Sequence, residues 1–197
     1  MRKRSVMLFV VFSMFLVLFS SPANAADWRF PVGFTYVSGF SDVVDIYEDN
    51  LRAEGYTVDT SYGSPIGLAF NPYVQFENGF GIGAGIGPAM LIISNVSSDL
   101  FALPVGLDLR YTLIPDGNIS PYIRAGGRYY IVDGEYVEGS TPGFFGGIGV
   151  EFLRKKVIGF GTEVSYDSSK IELKRVRTNS TEKVQPGKFM ASIFAVF

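Results

Sequence analysis

Cysteine and histidine are both absent from the 197 residues. Without cysteine there is no disulfide framework to stabilise an exported chain. Without histidine, zinc sites built on imidazole, Ser-His-Asp hydrolysis and any catalytic imidazole drop out. The expectation is a non-enzyme with no catalytic residue, no metal and no cofactor. Also missing, beyond the N-terminus, is any stretch near the roughly twenty apolar residues that a transmembrane helix needs. Yet 47% of the chain is hydrophobic and 15% aromatic. A chain this apolar without a spanning helix is either a well-buried soluble fold or a β-barrel facing lipid.

What is present begins with Arg2, Lys3 and Arg4, an apolar run from Val6 to Phe19 broken by Ser13, then Pro22 and the triplet Ala23-Asn24-Ala25. That is the tripartite pattern of a secretory signal. Residues 1–25 read as a signal peptide cleaved after Ala25, and residues 26–197 as one barrel domain. Loss of the three basic residues takes the formal charge from −2 to −5.

From Arg29 onward, apolar residues recur with period two. Eight segments fit it, about residues 29–37, 65–77, 80–93, 100–113, 121–132, 143–153, 157–167 and 188–197. The last alternates Phe189, Ala191, Ile193, Ala195, Phe197 against Lys188, Met190, Ser192, Phe194, Val196, a strand long enough to cross an outer membrane when tilted. Connections after the second, fourth and sixth segments are compact: Asn78-Gly79, Pro115-Asp116-Gly117-Asn118 and Arg154-Lys155-Lys156. Residues 38–64 and 168–187 form long loops. Short turns at one end and long loops at the other describe an outer-membrane barrel. Aromatics near strand ends on the apolar face (Phe30, Phe76, Phe80, Tyr111, Tyr129, Phe152, Tyr166, Phe197) suit interfacial girdles. The opposite face carries glycine and charge, the inverse of a soluble barrel. The fold class is therefore all-β, an eight-stranded antiparallel up-and-down transmembrane β-barrel with a short helix in the first extracellular loop. Pro72, Pro88 and Pro104 fall within these strands and predict bulges.

The Pro121-Tyr122-x-Arg124-Ala125-Gly126 stretch, the Gly146-Gly147-Ile148-Gly149-Val150-Glu151 stretch and terminal Phe197, in this order behind a signal peptide, carry a resemblance. The chain resembles small outer-membrane β-barrel proteins of the OmpA/OmpX/OmpW-like type over essentially the whole mature sequence. The resemblance implies the outer membrane of a Gram-negative cell as its place. It implies outer-membrane lipid and lipopolysaccharide as surroundings, and a barrel-assembly machinery that reads Phe189, Ile193 and Phe197 as a C-terminal signal. No nucleic-acid partner is implied.

Inward charges come from neighbouring strands: Asp108 and Arg110, Arg124 and Arg128, Glu151, then Glu163 and Asp167. Each arginine can reach a carboxylate across a strand or diagonal. An eight-stranded barrel is just wide enough to be filled by side chains, so these seven predict a salt-bridged plug. Gly81, Gly83, Gly85 and Gly87 form an inward strip that opens no helix and is no phosphate loop. It leaves room for Tyr73, Tyr122, Tyr130 and Phe145, or for a small apolar ligand.

In the first long loop, Ser41 reads as an N-cap, Asp42 and Asp45 as first-turn acids, Val43, Ile46, Tyr47 and Leu51 as an apolar stripe, and Gly55 as a terminator. Residues 38–63 carry a net −5, and residues 168–188 a net +4. Barrel closure makes these loops neighbours, so the acidic helix is expected to dock on the basic loop and cap the outer mouth. In the basic loop, Lys170, Lys174, Arg175 and Arg177 offer charge-assisted hydrogen bonds to lipopolysaccharide phosphates. The function read from the sequence is a structural or surface-interaction role with a plugged lumen. A narrow pore or conduit for small apolar molecules is the alternative, and a lipid-modifying barrel enzyme is disfavoured by the missing histidine.

Overall fold

The computed structural model describes residues 26–58, 60–62, 65–94 and 100–197. The signal-peptide reading of residues 1–25 falls outside them. The strands are β1 (Ala26–Arg29), β2 (Pro31–Val37), β3 (Thr60–Tyr62), β4 (Ile66–Phe70), β5 (Tyr73–Phe76), β6 (Phe80–Ile86), β7 (Met90–Ser94), β8 (Leu100–Thr112), β9 (Ile119–Gly134), β10 (Val137–Thr141), β11 (Gly143–Phe152), β12 (Gly159–Asp167), β13 (Lys170–Arg175), β14 (Ser180–Val184) and β15 (Met190–Val196), with one helix, α1 (Phe40–Ala53).

β1 and β2 follow one another along a single wall strand, as do β3 to β5, and β6 with β7. Eight antiparallel wall strands result, and they close into a barrel. Closure is made by β15 on β2, from Met190 opposite Val37 to Val196 opposite Pro31. The Phe30 N–H donates to the Phe197 carbonyl at 3.0 Å to finish the seam. The prolines sit where the ladder is interrupted. Pro72 separates β4 from β5, and Pro88 separates β6 from β7. Pro104 stays inside β8, but its carbonyl accepts from the Gly87 N–H at 2.9 Å. In a strand a residue's N–H and C=O point the same way, so the hydrogen bond that Pro104 lacks falls opposite the break at Gly87-Pro88-Ala89.

Side chains alternate as period two requires. In β12, Glu163, Ser165 and Asp167 are buried while Phe160, Val164 and Tyr166 are exposed. Outward-facing Phe34, Leu68, Leu109, Ile123, Phe144, Ile148 and Ile193 are all more than half exposed. A continuous apolar belt of this extent is incompatible with a water-facing wall and has the character of a lipid-facing surface.

At the end with the long connections, β10, β13 and β14 build a separate three-stranded sheet. The stretch from Ser168 to Gly187, read from sequence as a loop, is thus mainly a hairpin. α1 lies against it, and Val43, Ile46, Tyr47 and Leu51 are buried in one cluster with Ile171, Leu173 and Val184 of the hairpin and Met90, Ile92, Leu100, Tyr130 and Met190 of the wall. The N-cap differs from expectation: the cap position is Gly39, and Ser41 lies inside the first turn. The Gly39 N–H bonds the Pro186 carbonyl at 2.9 Å, and a Cβ there would stand 2.4 Å from the Gln185 carbonyl oxygen. Close approach of the hairpin's exit, rather than a capping side chain, fixes where the helix starts. The other end follows the sequence: Gly55 takes φ +88°, and the Tyr56 and Gly55 N–H groups bond the Leu51 and Arg52 carbonyls at 3.1 Å each, a Schellman cap.

Candidate functional site: the lumen and its outer cap

The lumen is built by side chains one strand apart reaching across glycines. Tyr122 on β9, Gly149 on β11 and Glu163 on β12 share one row. With no side chain at Gly149, the Tyr122 hydroxyl crosses β11 and donates to Glu163 Oε2 at 2.8 Å; a Cβ on Gly149 would lie 2.4 Å from that hydroxyl. Gly83 likewise faces Asp108 across the β6–β8 pair, and its missing Cβ would meet the Asp108 carboxylate at 3.1 Å. Each bulky or charged group occupies space that a glycine vacates.

Three tiers of charge fill the barrel. Nearest the short turns, Glu151 is paired with Arg110 at 2.8 Å and Arg154 at 3.2 Å. It also accepts from the Tyr73 hydroxyl at 2.9 Å on both oxygens. The Arg110 guanidinium lies between the Tyr73 and Tyr122 rings, 4.1 Å and 3.4 Å from their centroids. Arg154 also donates to Gln75 and to the Pro115 carbonyl, both at 2.5 Å. In the middle tier Arg124 is bound to Glu163 at 2.6 Å and lies 3.6 Å from Asp108. In the outer tier Arg128 and Asp167 are 3.5 Å apart. Asp167 accepts from Tyr130 at 3.2 Å and from the Ser169 N–H at 2.9 Å. Phe145 separates the two upper arginines, 4.4 Å from Arg124 and 4.0 Å from Arg128.

All seven residues of the expected charge network therefore lie in the lumen and engage one another. Glu151 and Asp167 are 1% and 0% exposed. Sequence reasoning passed over Arg154, counted as part of a surface turn, and gave Gln75 and Gly149 no particular role. The signal for Arg154 was its position three residues beyond Glu151, where the strand's last inward carboxylate could reach it. A cavity of about 20 Å³ remains beside Asn71, Asp108, Arg110, Arg124 and Glu163, room for about one water. Of the glycine strip, Gly81, Gly83 and Gly85 are buried inward positions of β6. Gly87 lies past its end at φ +89°, where a Cβ would meet the Leu68 carbonyl at 2.5 Å. Asp108 stands against Gly83 and Asn71 against Gly85, and Tyr73 on β5 is the strand partner of Gly83.

The cap is held to the hairpin by more than apolar contact. Asn50, 2% exposed, donates to the Lys174 carbonyl at 2.5 Å and accepts from the Val176 N–H at 2.9 Å. Arg175 is paired with Asp49 at 3.1 Å and with Glu182, so the acidic helix does dock on the basic segment. Of the basic candidates, Lys174 and Arg177 are exposed, Lys170 is half-buried and Arg175 is committed to its two carboxylates. Phe189, Ile193 and Phe197 all face outward, each at least half exposed. Among the described residues no cluster of three or more acids could hold a metal.

No protein-family model matches the sequence, and no curated protein matches it by sequence. Solved structures do match. OprG of Pseudomonas aeruginosa, an outer membrane protein, superposes with a TM-score of 0.57 at 15% identity, covering 87% of this chain and 95% of OprG. The fold is that of a small outer-membrane β-barrel. Outer membrane protein AlkL, solved in DMPC bilayers, gives 0.55 at 17% identity, with 90% and 92% coverage. Outer membrane protein W of E. coli gives 0.55 at 12%, with 89% and 99% coverage.

Proposed function

We propose that the chain is an integral outer-membrane β-barrel, exported through a cleaved signal peptide, with a non-catalytic structural or surface-interaction role. The observation that carries this reading is the lumen. From Arg154 to Asp167 it is crossed by ion pairs whose side chains are at most 10% exposed, and the cavity beside Asn71 and Glu163 accommodates about one water. A path for solutes would have to separate those pairs in a low-dielectric interior, where each parted charge costs several kcal/mol. Function then lies at the ends and rim of the barrel. The exposed Lys174 and Arg177 suit phosphates of outer-leaflet lipopolysaccharide, and the outward Phe189, Ile193 and Phe197 suit recognition by the barrel-assembly machinery. Single-channel recording on the refolded residues 26–197 in planar bilayers tests the reading: a folded but silent barrel is expected, and discrete reproducible openings would overturn it.

A conduit for small apolar molecules is favoured by one feature. Between the second and third wall strands, β4 meets β6 only through Phe70 and Ile86, and the break at Gly87-Pro88-Ala89 lies below the apolar cluster under α1. Uptake of a small alkane-like fluorophore into proteoliposomes, abolished by a disulfide engineered across that break, would support the conduit over the plug.

A further inference from the structure

The short-turn end of the barrel is asymmetric. Along one part of the rim lie Asp27, Arg29 and the Glu77-Asn78-Gly79 turn, whose tip is polar although exposed Phe76 and Phe80 flank it; Arg29 reaches the Arg154 carbonyl at 3.1 Å. Along another part, the turns after β8 and β11 carry Leu113, Ile114, Leu153, Val157 and Ile158. Val157 is 92% exposed, and Leu113 and Ile114 are 58% and 52% exposed. Among them stand exposed Lys155 and Lys156, with Asp116 the single acid of the two turns. Periplasmic turns bathed in water have no reason to be this apolar.

These turns are built as one surface. The buried Arg154 donates through Nη1 to the Pro115 carbonyl at 2.5 Å, and its N–H reaches the Asn118 carbonyl at 3.5 Å. Ser120 ties the first turn internally, donating to the Ile114 carbonyl at 2.8 Å. The same arginine that completes the lowest tier of the lumen thus fastens the two turns side by side. Their apolar side chains continue the belt downward through Ile119, Phe152 and Phe160, all exposed on the outer wall.

We propose that this platform docks into the headgroup region of the inner leaflet, its apolar side chains inserted and Lys155 and Lys156 holding phosphates of anionic phospholipid. The occupant follows from continuity. The patch is an extension of the lipid-facing wall, and a pair of cations at its edge is where snorkelling lysines meet lipid phosphate. This assignment rests on the membrane-spanning reading above.

The test uses residues 26–197 carrying Trp28→Phe, which removes the single native tryptophan, refolded into vesicles of phosphatidylcholine with or without phosphatidylglycerol. Reporters are Val157→Trp and Ile114→Trp on the platform and Val164→Trp in the belt. Quenching of the platform reporters by phospholipid brominated near the headgroup, with protection from aqueous acrylamide, is expected. In the Val157→Trp background, Lys155→Gln with Lys156→Gln should abolish the enrichment of phosphatidylglycerol over phosphatidylcholine, at about fivefold per lysine. Acrylamide-accessible platform reporters beside a lipid-quenched Val164→Trp would overturn the docking alone. A Val164→Trp reporter that brominated lipid fails to quench would overturn the membrane-spanning reading instead. Phosphatidylglycerol enrichment unchanged by the lysine substitutions would overturn the phosphate contact.

Discussion

Glu151 is the only carboxylate within ion-pair reach of both Arg110 and Arg154 among the described residues. Glu151→Gln keeps its volume and removes its charge, leaving two buried guanidiniums without a counterion. Such a loss costs about 3–5 kcal/mol. Urea unfolding of the refolded barrel in micelles should show a midpoint lowered accordingly; a change below about 1 kcal/mol would mean that the tyrosine rings and carbonyls around the arginines suffice. Glycines give a matched pair. A Cβ on Gly33 would lie 2.1 Å from the Ile193 carbonyl oxygen, backbone of the strand that closes the barrel, whereas one on Gly127 meets nothing within 4 Å. Gly33→Ala should lower stability by at least about 1–3 kcal/mol, the usual cost of overpacking, or prevent closure. Gly127→Ala should be neutral or slightly stabilising. Heat-modifiable migration on gels reads both, and equal behaviour of the two would sink the close-approach argument.

At the scale of elements, one amide ties α1 to the backbone of the hairpin. Asn50→Ala leaves the Lys174 carbonyl and the Val176 N–H without their partner, a loss of about 1–3 kcal/mol that should appear as faster hydrogen exchange at Val176 with the barrel wall unchanged. The hairpin beneath it carries a pH dependence. Lys183, at 2.8 Å, and the Thr141 hydroxyl, at 2.6 Å, hold the Glu172 carboxyl below its ordinary value of 4.5. A depressed folded-state pKa means that the contribution is complete above the unfolded value and disappears as pH falls through the folded one. Corrected exchange rates at Leu173 and Glu182 should therefore rise below pH 4.5 in the parent protein and stay flat in Glu172→Gln. The hairpin itself was legible and passed over. Ile171, Leu173 and Val184 alternate with Glu172, Lys174 and Lys183, a period-two pattern, but its charges outweighed its three apolar positions. The wall strands were readable because each has an outward face apolar along its length. The breaks at Asn71-Pro72 and Gly87-Pro88-Ala89 announced themselves as prolines. That the break at Gly87-Pro88-Ala89 lies opposite Pro104 depends on register, which no single strand encodes. Arg154 was obscured for a related reason: a residue just outside a strand has no face in a periodicity argument, and its contacts with Glu151, Gln75 and the neighbouring turn's Pro115 carbonyl show that it is drawn inward.

Across the whole molecule, two obstructions stand in series. The outer one is α1 with its hairpin, packed through an apolar cluster. The inner one is the tiered lumen, which begins below Met190 and ends at Arg154. They share Tyr130, which belongs to the cluster and bonds Asp167, Met190, which accepts from Arg128, and Phe145, which lies against Arg124 and Arg128, while the ion pairs of Glu151 and Glu163 involve no residue of α1 or its hairpin. Changes at separate, unshared sites are close to independent. Replacing residues 40–53 by a flexible Gly-Ser linker should therefore leave a silent barrel, because the ion pairs below still fill the section. Emptying the lower tiers by joint replacement of Asp108, Arg110, Arg124, Glu151, Arg154 and Glu163 with alanine removes whole ion pairs rather than halves, so no unpaired charge remains in those two tiers. That variant should also be silent while the cap is in place. Combining the two should give discrete conductance in planar bilayers, with an amplitude that rises with salt. Conductance from the helix deletion alone would show that the tiers part easily and that α1 is the barrier; silence from the combined variant, with folding established by heat-modifiable migration, would show that the remaining tyrosines Tyr73, Tyr122 and Tyr130 collapse into the space the charges leave.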